Sequence, residues 1–149
     1  MSGELRDLYQ QLIFDHYKAP RNRHAMHGAS HEAEGHNPLC GDNVKVYLEI
    51  EDGVIRDVAF EGGGCAIATA SASLMTEALK GRKVEEVQSL FEEFHHLVTD
   101  GEAPGRAELG KLEALAGVRE FPARVKCATL AWHTLNAALA GRERPVSTE

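Results

Sequence analysis

The chain has 149 residues and a formal charge of −7 at pH 7, from 16 Lys+Arg against 23 Asp+Glu. Its apolar content of 43% and charged content of 26% are those of a globular domain and exclude wholesale disorder. The acidic balance argues against nonspecific nucleic-acid binding, and no apolar run reaches the ~20 residues of a membrane span.

The first segment places Leu5, Leu8, Tyr9, Leu12, Ile13 and His16 at helical spacing, and Ala19-Pro20 stops it. Residues 21 to 36 are polar and rich in histidine and glycine, so they read as loop with at most a short extended piece. Val44, Val46, Leu48 and Ile50 alternate strictly, the pattern of a half-buried strand. Asp52-Gly53 signals a hairpin turn, and Val54 to Phe60 returns with Val54, Val58 and Phe60 on one face. Glu61-Gly62-Gly63-Gly64 breaks that strand. A helix then begins at Ala66, with Ile67, Ala70, Leu74 and Ala78 on one face and Gly81 at its end.

Val84, Val87, Leu90, Phe91, Phe94 and Leu97 mark a third helix. A short helix around Leu109, Leu112 and Leu115 ends at Gly117, and Pro122 precedes a last one carrying Ala128, Ala131, Leu135 and Ala138. The tail from 142 to 149 is expected to fray. The order predicts a single α+β domain over 1–149: a small antiparallel β-sheet of two to three strands with about five helices packed on one face.

Three cysteines, Cys40, Cys65 and Cys127, are an odd number, which disfavours a secreted disulfide framework. The N-terminal MSGELRDLYQQ lacks the basic and apolar regions of a signal peptide, so a cytoplasmic location is expected. Each cysteine falls at the end of an element: Cys40 before the first clear strand, Cys65 at a helix start, Cys127 in the first turn of the last helix. A helix N-terminus favours the thiolate, the form that binds metal or attacks sulfur. Gly41 between Cys40 and Asp42 lets both side chains aim at one point. Three thiolates and one carboxylate complete a tetrahedral site for Zn²⁺, or part of a set for an iron–sulfur cluster.

Two other patterns carry less. His31-Glu32-Ala33-Glu34-Gly35-His36 has its histidines five apart, so they do not share a helical face as a zinc-protease H-E-x-x-H must. Gly62-Gly63-Gly64 lacks the G-K-[ST] ending of a phosphate loop, and its glycines better serve a close backbone approach to a metal centre. His95-His96 read as solvated.

Three motifs occur in order: Gly35-His36-Asn37-Pro38-Leu39-Cys40-Gly41-Asp42, then Gly64-Cys65-Ala66-Ile67-Ala68, then Arg124-Val125-Lys126-Cys127-Ala128-Thr129-Leu130. Together they resemble the U-type iron–sulfur cluster assembly proteins, the IscU, SufU and NifU N-terminal family, over about Leu5 to Gly141. Lys126 stands where IscU-type members carry a histidine, and the segment from about Leu97 to Phe121 looks like an insertion. Both features are similar to the SufU branch.

The resemblance implies an α+β fold and a site of Cys40, Asp42, Cys65 and Cys127. It implies Zn²⁺ there, with a transient [2Fe–2S] cluster in a working state. The expected partners are a SufS-like cysteine desulfurase supplying persulfide sulfur and downstream iron–sulfur assembly or acceptor proteins. In the SufU branch Cys40 is the expected sulfur acceptor, in the IscU branch the position of Cys127. Lys126 is a candidate to stabilise developing negative charge, or a solvated lysine. Arg124 is a candidate to contact a partner or the site carboxylate. Zinc-dependent sulfurtransferase and cluster scaffold both fit. The unrelated alternative, a hydrolytic zinc enzyme, needs an open coordination position that Asp42 as fourth ligand closes.

Overall fold

The computed structural model describes residues 3–38, 41–99, 109–141 and 146–147. Helix α1 (Gly3–Lys18) is followed by strands β1 (His31–Asn37), β2 (Asp42–Glu51) and β3 (Val54–Gly63). Helices α2 (Ala66–Leu79) and α3 (Val84–Thr99), a 3-10 helix (Gly110–Glu120), α4 (Pro122–Leu139) and the two-residue strand β4 (Val146–Ser147) complete the described chain. The sheet order is β3-β2-β1-β4, with β1, β2 and β3 antiparallel and β4 parallel to β1. The α+β class, the small antiparallel sheet and the five helices expected from the sequence are all present. Among the described residues, no helix is long and apolar enough to cross a membrane.

The inward face of the sheet carries Val44, Val46 and Leu48 from β2 and Val58 and Phe60 from β3, all buried. Helices α2 and α4 lie against the sheet, while α1, α3 and the 3-10 helix pack onto those two. Trp132 of α4 is fully buried, its ring parallel to those of Phe94 and Phe91 at centroid distances of 4.7 and 6.0 Å. Helix α2 is enclosed nearly all round: every residue from Ala68 to Thr76 is buried, and most are Ala, Ser or Thr. Small side chains let neighbours approach, and Ser71 Oγ donates to Ala128 O of α4 at 2.6 Å. Gly81 follows the end of α2 with φ +84° and donates its N–H to Ile55 O.

Four readings of the sequence change. The stretch read as loop contains β1, whose inward positions are Ala33, Gly35 and Asn37 rather than large apolar residues. That choice follows from the closeness of α4: a Cβ at Gly35 would meet Thr134 Oγ1 at 2.1 Å. The histidines of the H-E-A-E-G-H run therefore lie on a strand, and an odd spacing sends them to opposite faces. On β3, Ile55 is fully buried and Val54 only half-buried, the reverse of the expected face. The cause is an irregular register, Glu49 pairing with Asp57 but Ile50 with Ile55, which leaves Arg56 as an extra residue and inverts the alternation. Strand β3 also continues through Glu61 to Gly63 instead of breaking at Glu61. Within the tail expected to fray, Val146 and Ser147 pair with Gly35 and His36.

Candidate metal centre

Asp42 opens β2, and its partner across the ladder is Asn37, the last residue of β1. Its side chain points to the core face and is almost fully buried. Burying a carboxylate costs free energy unless donors or a cation meet it. One donor is the backbone N–H of Cys65, 2.9 Å from Asp42 Oδ1. The Cys65 thiol lies 3.7 Å from Oδ2 and donates to it.

Cys65 is the N-cap of α2, as the sequence suggests. Its φ of −71° and ψ of 166° are extended, and Sγ accepts the Ala68 N–H at 3.3 Å. A thiol here takes the place usually filled by Ser, Thr, Asp or Asn. The approach that joins Asp42 to Cys65 depends on Gly64. With φ +143°, a Cβ there would sit 2.1 Å from Asp42 Oδ1 and 2.9 Å from Asp42 Cα. Gly64, the last of the glycine run, thus permits a close approach of the backbone to Asp42.

Cys127 differs from its expected setting. Pro122 is the first residue of α4 rather than a residue ahead of it, so Cys127 falls in the second turn and is fully buried. It nonetheless faces the same point as Asp42 and Cys65. One carboxylate oxygen and two Sγ atoms, from three separate elements, all lie within 4.8 Å of one another. Ligands of a tetrahedral Zn²⁺ at ~2.0–2.3 Å are about 3.3–3.8 Å apart, so a shift of about 1 Å suffices to bring all three onto one ion. The donor set fits a thiophilic metal with one hard ligand. Cys127 Sγ also contacts Ala123 O at 3.8 Å and accepts from Asn37 Nδ2 at 3.9 Å.

Cys40 lies outside the described residues. Gly41, which follows it, has φ +71°, and its N–H donates to Asn37 O at 2.9 Å. Arg124 and Lys126 lie on the opening turns of α4, Arg124 exposed and Lys126 half-buried. His95 and His96 are exposed, as expected. Asn37 was visible in the sequence only as one member of a motif. Its burial beside Cys127 depends on the β1–α4 packing, which no local pattern encodes.

A second buried polar cluster lies away from these sulfurs. His16 of α1 is fully buried with Nδ1 2.7 Å from Ser73 Oγ, which also accepts the Arg21 N–H at 2.8 Å. Its Nε2 is 3.4 Å from Glu77 Oε1. Burial, then the Arg21 charge, lower the His16 pKa against the opposing pull of Glu77. On the outward face of the sheet, Tyr47 donates a hydrogen bond to Glu61, and burial with that bond pushes its pKa up to about 12.

A profile of the NifU-like N-terminal domain matches residues 8–128. The chain is 41% identical over 142 residues to the zinc-dependent sulfurtransferase SufU of Bacillus subtilis (strain 168), covering 95% of this chain and 96% of that one. It is 40% identical over 137 residues to the iron-sulfur cluster assembly scaffold protein IscU of Streptococcus pyogenes serotype M1, covering 92% and 86%. The crystal structure of a putative iron-sulfur cluster assembly scaffold protein for the SUF system from Fervidobacterium islandicum AW-1 aligns with a TM-score of 0.83 and 32% identity, over 93% of this chain and 99% of that one. With its motifs, its fold and its converging donors in agreement, the chain belongs to the NifU-like N-terminal domain family.

Proposed function

We propose that this protein accepts persulfide sulfur from a cysteine desulfurase during iron–sulfur cluster assembly, at a site made of Cys40, Asp42, Cys65 and Cys127, in a reducing cytosol. The observation that carries the reading is the convergence of Asp42, Cys65 and Cys127 from β2, α2 and α4 within 4.8 Å. The names of the relatives from Bacillus subtilis and Streptococcus pyogenes support it. Zn²⁺ is the metal proposed for this site, and when bound it keeps the cysteines deprotonated and shields them from oxidation.

The chain's own residues divide the work. Cys65 caps a helix enclosed in the core and Cys127 is buried within another, so both sulfurs are fixed to regular structure. Cys40 lies in sequence between the end of β1 and the start of β2, flanked by Pro38 and Gly41 rather than by a helix pattern. We therefore assign sulfur acceptance to Cys40. Its thiolate attacks the outer sulfur of the desulfurase persulfide. A Cys40 S–S bond forms, the desulfurase S–S bond breaks, and the desulfurase cysteine departs as thiolate. Asp42, the first residue of β2, is the hard ligand of the set, so it is the ligand released most readily. Lys126, half-buried one residue before Cys127, is the candidate to balance charge at the sulfur; Arg124, exposed, is the candidate to meet a partner.

The test is a short reaction of the full chain with a cysteine desulfurase and cysteine, followed by mass spectrometry of its peptides. Persulfide is expected first on Cys40, and Cys40→Ser is expected to abolish stimulation of the desulfurase. Persulfide first on Cys127, with Cys40→Ser still stimulating, would overturn the assignment. Metal analysis of protein purified without oxygen separates the two relatives' roles: one Zn²⁺ per chain and a colourless sample favour sulfur transfer, a coloured and transferable cluster favours a scaffold.

A further inference from the structure

Asn37 occupies a position that the sulfur-transfer chemistry above does not use. It ends β1 on the inward face, and its side chain is fully buried. A buried carboxamide must place its N–H and C=O groups against partners. One N–H of Asn37 points at Cys127 Sγ, 3.9 Å away, across the β1–α4 contact. Its main-chain carbonyl accepts the Gly41 N–H at 2.9 Å. Asn37 is also the ladder partner of Asp42. One residue thus reaches Cys127 with its side chain, accepts the Gly41 N–H with its carbonyl, and faces Asp42 across the sheet.

The chemistry of the contact is directional. The Cys127 Sγ contact with Ala123 O requires a proton on sulfur, and it is lost when the sulfur becomes a thiolate. The Asn37 N–H donates in either state and binds the thiolate more strongly, because a charged acceptor strengthens the bond. Donors to a ligating sulfur withdraw charge from it and set the strength of its metal bond. Resting on the reading of a metal-binding site given above, we propose that Asn37 is a positioning residue that tunes the Cys127 sulfur through an N–H···S hydrogen bond.

The test uses the full chain in two forms. In the metal-free protein, triple-resonance NMR assigns the two carboxamide protons of Asn37. Cys127→Ala is expected to shift the proton that faces sulfur more than its geminal neighbour. Unchanged positions for both overturn the proposal, whether or not the protein holds metal. In the Co²⁺-loaded protein, Asn37→Ala is expected to move the thiolate-to-cobalt charge-transfer band to lower energy. Asn37→Asp, which replaces the donor by a negative acceptor, moves it further. Zinc affinity in Asn37→Ala is expected to fall about 10-fold, the lower end of what an outer partner of a ligand contributes. A charge-transfer band identical to wild type in both variants overturns the proposal, since loosened packing alone does not order the variants in this way. If neither variant folds, the NMR comparison decides. Wild-type protein that takes up no Co²⁺ would refute the metal-site reading, and the NMR comparison would still decide the hydrogen bond.

Discussion

Replacing Gly64 by alanine tests how the site is built. The added Cβ would lie 2.1 Å from Asp42 Oδ1 and 2.9 Å from Asp42 Cα, both far inside van der Waals contact. The carboxylate can turn away, but the Cα is held in β2 opposite Asn37. The backbone must also hold alanine at φ +143°, a conformation that costs about 1–3 kcal/mol. Displacing the carboxylate breaks its bond from the Cys65 N–H, worth about 1.5–3 kcal/mol for a charged acceptor. The sum is about 2.5–6 kcal/mol, a large share of the 5–15 kcal/mol that stabilises a typical domain. In a chain of this size that corresponds to a drop in Tm of about 10 °C or more. Gly41→Ala is the control: φ is +71°, but among the described residues no atom lies within 4 Å of the added Cβ, so it costs only about 1–2 kcal/mol. Urea unfolding of metal-free Gly64→Ala, Gly41→Ala and wild type supplies the comparison. A Gly64→Ala midpoint equal to that of Gly41→Ala would refute the close approach between Gly64 and Asp42 as a determinant of the site.

The buried imidazole of His16 has its pKa lowered, so the unfolded chain takes up a proton before the folded one does. Stability is therefore full above the ordinary value of 6.5 and falls as the pH drops through it toward the folded value. Urea midpoints measured from about pH 7.5 to about pH 5.5 should decline, and His16→Asn should flatten the decline, leaving the part contributed by His133, whose pKa is lowered by burial and by His95. Tyr47, held up to about 12, keeps its proton after the unfolded chain would lose it, so its share of stability disappears between about pH 10 and 12. Ultraviolet titration should show a late phenolate step that Tyr47→Phe removes; a profile unaltered by that substitution contradicts the Tyr47–Glu61 bond. Chelation should lower the Tm while leaving the far-UV helix signal at room temperature, because among the described residues the large hydrophobic cluster of Trp132, Phe60 and Leu48 includes none of Asp42, Cys65 and Cys127. Complete unfolding on chelation would show that metal binding and folding are one event.

Much of this arrangement is legible in the sequence where burial leaves a period. The alternation from Val44 to Ile50 and the helical spacing from Val84 to Leu97 each give an element and its buried face, because each buries one side only. Strand β1 was hidden for the opposite reason. Its inward positions are Ala33, Gly35 and Asn37, small or polar because α4 comes so close, so no apolar alternation remains to be read. The alternation of β3 points to the wrong face at Val54 and Ile55 because an extra residue inverts a two-residue period without any marker in composition. Helix α2 showed a narrow apolar face in sequence but is buried nearly all round, since Ser and Thr score as polar yet satisfy their hydroxyls inside the core. Ser71 and Thr76 both do so by donating to main-chain carbonyls. At the site, the cysteine motifs and Asp42 named candidate ligands. The contacts among Asp42, Cys65 and Cys127, and the place of Asn37 beside them, exist only once three elements are packed together.

That packing fixes a timetable. Asp42 and Cys65 lie in the first half of the chain and meet through neighbouring elements, a strand and the helix that follows its hairpin partner. Cys127 arrives on α4, and α4 can settle only by laying Thr134 against the bare backbone of Gly35, nearly a hundred residues earlier. Synthesis runs from the N-terminus, and contacts so distant in sequence form late. While the ribosome still holds the last helix, the nascent chain has its carboxylate and its capping thiol but not its third converging donor. The three converging donors are thus brought together by the same docking event that closes the core, and a metal held by Asp42, Cys65 and Cys127 together would mark a finished fold.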